Sequence, residues 1–214
     1  MKTGLTLEQL AAEITRQQSA KEDYVVNTGN LRLESYGPDL TLRVLDSDGA
    51  DRIEPLEIGD IAHRQIGTHL SIPAKYYERM RSEDAGLLAH NVNTWLERTP
   101  AQRMIRVLDG KVRAYLSNRY LRMDNYSIAS AVLPILAEIP DVRIESCQIT
   151  DSRMYIKAVN PRLQEDVTPG DTVQAGVVIS NSEVGLGSVN IQPLIYRLVC
   201  SNGMVVNDAA TKRN

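Results

Sequence analysis

Apolar residues recur at helical spacing in several segments of the chain. Near the N-terminus, Leu7, Leu10 and Ile14 fall on one helical face, and Thr6 with Gln9 forms a capping box just ahead of them. Further helices are predicted over 58–66, from Pro73 onward, over 88–96, and over 125–137 with Asp124 as the N-cap.

Other segments alternate apolar and polar residues, which is typical of strands. The predicted strands cover 24–28, 31–36, 40–46, both arms of a hairpin at 102–117, 142–149, 154–159, 173–180, 189–192 and 194–206. The first three are expected to pair as a meander, and 160–170 is expected to be a loop. The pair Asn202-Gly203 predicts a hairpin turn within the last strand.

These elements predict an α+β fold, in which antiparallel, β-rich sheets carry the N-terminal and central helices on one side. The chain has 214 residues and contains no repeat or obvious linker, so a single domain over 1–214 is expected. Its end at 209–214 is polar and lacks a capping signal, which is consistent with truncation at the C-terminus.

The composition is that of a globular protein, with 43% hydrophobic and 24% charged residues. No signal peptide and no apolar stretch of membrane-spanning length is present. We therefore expect a cytoplasmic protein, in a bacterium or in a cell infected by a phage, without a membrane partner.

Positive charge is concentrated in one short segment. The net charge is −3, and residues 1–97 hold 16 Asp or Glu against 10 Lys or Arg. Residues 98–122, in contrast, hold seven Lys or Arg against Asp109 alone. The concentration of positive charge in one segment of an overall acidic protein indicates that this segment contacts an anion.

The basic segment includes the predicted hairpin at 102–117, whose turn is Asp109-Gly110. A two-residue turn places Arg106 directly opposite Arg113, on a face that also carries Tyr115. Like charges in that position repel each other unless an anion lies over them.

Arginine binds phosphate bidentately, and tyrosine rings provide stacking surfaces for unpaired bases. The sequence therefore predicts single-stranded nucleic acid as a partner. The candidate contacts are Arg103, Arg106, Lys111, Arg113, Tyr115, Arg119, Tyr120 and Arg122.

Three alternatives remain open for these basic residues. They can pair with carboxylates of residues 1–97 in the same chain, they can bind a small anion, or they can join subunits. In the last case the protein is an assembly module that forms homo-oligomers without nucleic acid. A homo-oligomer is expected in either function.

Motifs of catalytic and metal sites are absent from the sequence. It contains no G-x-S-x-G, C-x-x-C or H-E-x-x-H pattern, which favours binding over catalysis, with no catalytic residue, metal or cofactor expected. His63 and His69, six positions apart, are interpreted as solvated helix residues. The glycine-rich stretch 185–188 is interpreted as a turn rather than a phosphate loop.

Asn181, Ser182 and Glu183 form a second polar cluster at the end of a predicted strand. The favoured interpretation is a turn in which Asn181 and Ser182 bond to their own backbone. An enzyme site built around Glu183 is the alternative.

At these stretches the sequence resembles the phage/plasmid-like protein family, an uncharacterised domain found on phages, prophages and plasmids. The carrying segments are RAYLSNRYLRMD at 113–124, ISNSEVG at 179–185, YRLVCSNGM at 196–204 and, more weakly, IPAKY at 72–76. The resemblance implies no catalytic residues. The setting on mobile elements implies a role in recombination, replication or counter-defence.

Overall fold

The computed structural model describes residues 4–46, 48–169 and 171–198. The helices among these residues are α1 (Leu7–Ala20), α2 (Asp60–His69), α3 (Ala74–Glu83), α4 (Ala85–Arg98) and α5 (Asn125–Glu138). The strands are β1 (Lys21–Asn27), β2 (Leu31–Tyr36), β3 (Asp39–Val44), β4 (Leu56–Ile58), β5 (Gln102–Leu108), β6 (Lys111–Ser117), β7 (Arg143–Ile149), β8 (Met154–Asp166), β9 (Thr172–Asn181) and β10 (Asn190–Arg197).

The chain divides into two compact units, each with a sheet of its own. The six-stranded unit is Gln17–Leu121, and the four-stranded unit combines Met1–Arg16 with Arg122–Asn214. Each unit also has its own cluster of buried apolar side chains. The interpretation of the chain as one domain stays a prediction.

The six-stranded sheet has the order β1-β5-β6-β4-β3-β2 and is antiparallel except for the pairing of β4 with β6. The predicted meander over 24–46 is therefore wrong, since β2 pairs with β3 whereas β1 lies at the far edge beside β5. Thr28 explains the difference. Its N–H donates to the carbonyl of Ala101, and its hydroxyl accepts from the N–H of Ala101, which ties the end of β1 to the start of β5.

Helices α2, α3 and α4 contribute to the same apolar core as this sheet. The side chain of Asn93 in α4 bonds to both the N–H and the carbonyl of Leu33 in the edge strand β2. These two bonds satisfy backbone groups for which β2 has no strand partner on that side.

The four-stranded sheet is an antiparallel meander in the order β10-β9-β8-β7. Leu10 of α1 and Ile128 of α5 share a buried cluster with Cys147, Ile156 and Ile179 of the sheet, so both helices cover one face. The predicted capping box of α1 is confirmed, because Thr6 and Gln9 exchange hydrogen bonds between side chain and backbone.

Two strand boundaries differ from the prediction. Strand β8 continues to Asp166 through a register shift after Asn160, so most of the predicted loop 160–170 is strand. Strand β10 runs without interruption through Pro193 at the end of the described sheet, where the missing N–H of proline breaks no pairing. The predicted turn at Asn202-Gly203 lies outside the described residues.

The predicted α+β fold class is confirmed by the five helices and two mostly antiparallel sheets of the described residues, with 34% helix and 40% strand. None of the helices in the described ranges is long and apolar enough to cross a membrane.

Candidate functional site

The hairpin of β5 and β6 forms around Asp109 and Gly110, which have the positive φ angles of the predicted turn, 53° and 73°. Leu108 pairs with Lys111 as expected, but the register then shifts, and Arg106 pairs with Ala114. The predicted opposition of Arg106 and Arg113 is therefore wrong. A bulge adds Arg113 to β6 as an extra residue. The side chains of β6 after Arg113 therefore lie on the face opposite to the one predicted.

Because of this change of face, Tyr115 lies on the core side of the hairpin. It is 3% exposed, and its hydroxyl lies 2.9 Å from Nδ1 of His69. The Arg103 guanidinium lies 5.6 Å from the centre of the same ring. Burial raises the pKa of Tyr115 and lowers that of His69 to about 4. Tyr115 is thus engaged within the unit and presents no open stacking surface.

Two of the predicted phosphate contacts are paired with carboxylates. Arg106 is 1% exposed, and its Nε and second terminal nitrogen donate to the two oxygens of Asp23 at 2.8 and 3.2 Å. Lys111 is exposed and lies 2.5 Å from Glu57. For these two residues the structure agrees with the alternative of pairing to carboxylates of residues 1–97.

The remaining predicted contacts differ in exposure. Arg113 and Tyr120 are half-buried, whereas Arg119 and Arg122 are exposed. The N–H of Tyr120 donates to the carbonyl of Ser117, so a turn follows β6 directly. Of the eight residues, the structure brings Arg103 and Tyr115 into contact and directs Arg106 toward Asp23. Arg106 and Tyr115 are buried, so these two are not accessible to an outside ligand.

The interpretation of His63 and His69 as solvated residues is wrong. His63 is 2% exposed, and its Nδ1 lies 2.9 Å from the Tyr77 hydroxyl. Burial, with a smaller contribution from Arg81, lowers the pKa of His63 to about 4. Both histidines thus join α2 to a buried tyrosine.

The cluster at Asn181 and Glu183 is a buried turn that bonds to the start of α5. Glu183 is 6% exposed and accepts a 2.5 Å hydrogen bond from the N–H of Asn125, while Asn181 donates to the Met123 carbonyl and to the Asn125 side chain. The side chain of Asp124 makes no capping bond, so the predicted cap is replaced by Glu183. Ser182 alone follows the expected pattern, because its hydroxyl accepts from the N–H of Leu186 within the turn.

The four-stranded sheet has a second face, opposite α1 and α5, that carries two rows of paired residues. The first row is Ser146, Lys157, Val178 and Gln192. The second row is Gln148, Tyr155, Ser180 and Asn190. All eight side chains line one concavity of about 880 Å³, a volume typical of ligand-binding clefts.

Arg153, which directly precedes β8, and Tyr155 and Lys157 within β8 all line this concavity. They alternate with Met154 and Ile156, which are fully buried on the helix side. This candidate site was not predicted from the sequence, although a pattern for it is present: a basic, an aromatic and a basic residue follow each other at a period of two.

The charged side chains that line the concavity in the described residues are all positive. Its lining residues in the described part of the chain include Lys157 and Arg153 but no Asp or Glu. Lys157 is half-buried and makes no ion pair with any described residue. The Arg153 guanidinium donates a hydrogen bond of 2.5 Å to the carbonyl of Leu186. Hydroxyl and amide groups that can both donate and accept surround the two cations.

The turn at 183–188 lies beside Arg153. The Arg153 guanidinium packs against Gly187 so closely that any side chain there would overlap with it. The interpretation of the glycine-rich stretch as a turn agrees with this arrangement, since Gly185 and Gly187 both have positive φ.

The part of the chain that contains this face is similar to a known protein family. Residues 112–214 match the model of a family described as "Domain of unknown function (DUF932)". No curated protein and no solved structure matches the chain. Over β6, α5 and all four strands of the second sheet, the chain is therefore similar to a domain family whose function is unknown.

Proposed function

We propose that the protein binds single-stranded nucleic acid on the open face of the four-stranded sheet. The observation that carries the proposal is the lining of the concavity, which includes Lys157 and Arg153 but no Asp or Glu among the described residues. A cation in a concave surface without a compensating charge raises the local concentration of anions.

The other lining groups suit a nucleotide better than a simple anion. Tyr155 lies between the two cations on β8 and offers a ring on which a base can stack, and the neighbouring amides of Gln148 and Gln192 can bond to base edges. Sheets with aromatic and basic residues on an open face are a common platform for unpaired bases. The proposal thus keeps the ligand class predicted from the sequence and moves its site away from the hairpin.

The direct test is fluorescence anisotropy with a labelled thymidine 12-mer at low salt. We expect saturable binding that Lys157→Met weakens about tenfold, because one charge-assisted contact to phosphate is lost. Methionine keeps most of the length of the side chain, and Lys157 has no ion-pair partner in the part of the chain that the structure describes, so folding should be unaffected. Absence of binding by the unmodified protein would remove the proposal.

Arg119→Met is the matched control, since it also removes one positive charge but lies after β6, in the basic segment that the sequence predicts as the site. We expect it to leave the affinity unchanged. Loss of binding in Arg119→Met with retention in Lys157→Met would return the site to the basic segment. Light scattering on the same samples detects the alternative function: self-association that weakens with salt, without any oligonucleotide bound.

The resemblance to proteins of phages, prophages and plasmids extends the proposal to a biological setting. A protein that holds unpaired strands fits recombination, replication or counter-defence on a mobile element. Crosslinking in cells during replication of such an element tests this, with recovery of its single-stranded DNA on the protein as the expected result.

A further inference from the structure

We infer that the open face holds a short unpaired segment of about four nucleotides and stacks a single base, on Tyr155. This inference rests on the proposed function and specifies the ligand. It predicts that gaps, overhangs and strand ends are bound as well as long single strands.

The size of the face limits the ligand. Neighbouring strands lie about 4.8 Å apart, so the rows that cross the four strands are about 14 Å long. Along β8, the distance from Arg153 to Lys157 is about 13 Å at about 3.3 Å per residue. When the bases of the bound strand stay stacked on one another, the strand advances about 3.4 Å per nucleotide, so about four nucleotides fill either dimension.

The chemistry of the face restricts stacking to one position. Tyr155 is the single aromatic residue among those that line the concavity in the described ranges, and its flanking residues on the same face are the cations Arg153 and Lys157. A base over the ring places the phosphates on its two sides near these cations. The other described lining residues are aliphatic or carry hydroxyl, amide or thiol groups, and none of them has an aromatic ring.

A length series of thymidine oligonucleotides with two, four, six and twelve nucleotides tests the footprint. We expect affinity to rise steeply up to four nucleotides. Beyond four it should rise only with the number of ways to place the site, which is less than about tenfold between four and twelve nucleotides. Continued steep gain beyond six would overturn the footprint while leaving the proposed function intact, whereas no binding at any length would remove both.

Two variants test the single stacking position. Tyr155→Ala should weaken binding by about 5- to 150-fold, the loss expected for one stacked base. Tyr155→Phe keeps the ring and should retain the affinity of the unmodified protein. A tetramer with 2-aminopurine at each position in turn reports the stacking directly: quenching at one position supports the inference, and equal quenching at several positions contradicts it.

If Tyr155→Ala binds as tightly as the unmodified protein while Lys157→Met does not, the face binds phosphates without a base. That outcome would leave a polyanion site and would contradict the stacking of a base on Tyr155. The near-ultraviolet circular dichroism of each variant verifies that its packing is unchanged.

Discussion

At the scale of single residues, Arg106 is a full charge with almost no contact with water, and Asp23 is its bidentate partner. Removing one member of a buried ion pair leaves the other unpaired, which costs about 3–5 kcal/mol. We therefore expect Asp23→Ala to lower the free energy of unfolding by this amount. The measurement is urea denaturation followed by circular dichroism.

The double variant Asp23→Leu with Arg106→Met provides the comparison. It removes both charges and leaves apolar groups in their place, so its loss of stability should be smaller than that of Asp23→Ala. If the double variant loses as much stability as Asp23→Ala or more, the pair stabilises the fold through packing and not through charge compensation.

The buried His63 predicts a dependence of stability on pH. Its pKa is about 4 in the folded protein and 6.5 ordinarily, so the unfolded chain binds the proton more tightly. This contribution to stability is complete above pH 6.5 and declines as the pH falls toward 4, by roughly 3 kcal/mol in total. Unfolding measured at pH 7, 6, 5 and 4 should show the decline. His63→Gln should reduce it, and the part that remains is the contribution of His69, whose pKa is also lowered to about 4.

His90→Gln is the control for that experiment, because His90 is exposed on α4. It should leave the decline as it is in the unmodified protein. A decline as large in His63→Gln as in the unmodified protein, or a smaller decline in His90→Gln, would contradict the assignment.

The sequence reveals the residue types at these positions but not their burial. Arg106 and Asp23 are 83 positions apart and meet because β1 pairs with β5. The local pattern favoured a meander that places β1 beside β2, so the ion pair could not be predicted. The burial of His63 could not be predicted for the same reason, because its partner Tyr77 belongs to a different helix.

At the scale of elements, a side chain of α2 completes the hydrogen bonding of β6. Strand β4 has only three residues, and it pairs with β6 at Lys111 and Val112 alone. Beyond them, the N–H of Tyr115 donates to the side-chain carbonyl of Gln65 at 2.7 Å. Gln65 of α2 thus supplies a hydrogen-bond acceptor at a position of β6 that β4 does not reach.

We expect Gln65→Ala to lower the free energy of unfolding by about 1–3 kcal/mol, because the N–H of Tyr115 is left without an acceptor away from water. Gln65→Glu retains an acceptor and should lose clearly less. Thermal and urea denaturation of the two variants give the comparison, and equal losses would assign the effect to packing of the side chain.

Most elements could be predicted from local patterns, because capping, alternation and turn residues act over a few positions. The turn of the β5–β6 hairpin is an example, with its Asp109-Gly110 pair. The bulge at Arg113 could not be predicted, since no glycine or other turn residue marks it. This one extra residue decided the candidate site, because it separates Arg113 from Arg106 and turns Tyr115 toward the core.

At the scale of the whole molecule, net charge is a poor guide to the partner. The protein carries a net charge of −3, yet one face of its second sheet presents two cations and no carboxylate among the described lining residues. Affinity at such a face should depend on local contacts between cations and phosphates. The salt dependence of the affinity gives the number of these contacts.

For single strands, each phosphate contact contributes about −0.7 to the slope of the logarithm of affinity against the logarithm of salt concentration. With Lys157 and Arg153 as contacts, we expect a slope of about −1.4, and about −0.7 for Lys157→Met. Anisotropy titrations between low and physiological salt measure both. A slope several times steeper would mean that basic residues elsewhere, such as Arg119 and Arg122, take part.

The cap that Glu183 provides for α5 has a consequence for the order of events during synthesis. The two bonded residues, Asn125 and Glu183, are 58 positions apart. At about 5–20 residues per second, a ribosome adds Glu183 several seconds after the helix sequence is complete. For that interval the first turn of α5 lacks its acceptor, and a nascent chain halted before residue 183 should expose this helix to proteases that the finished protein resists.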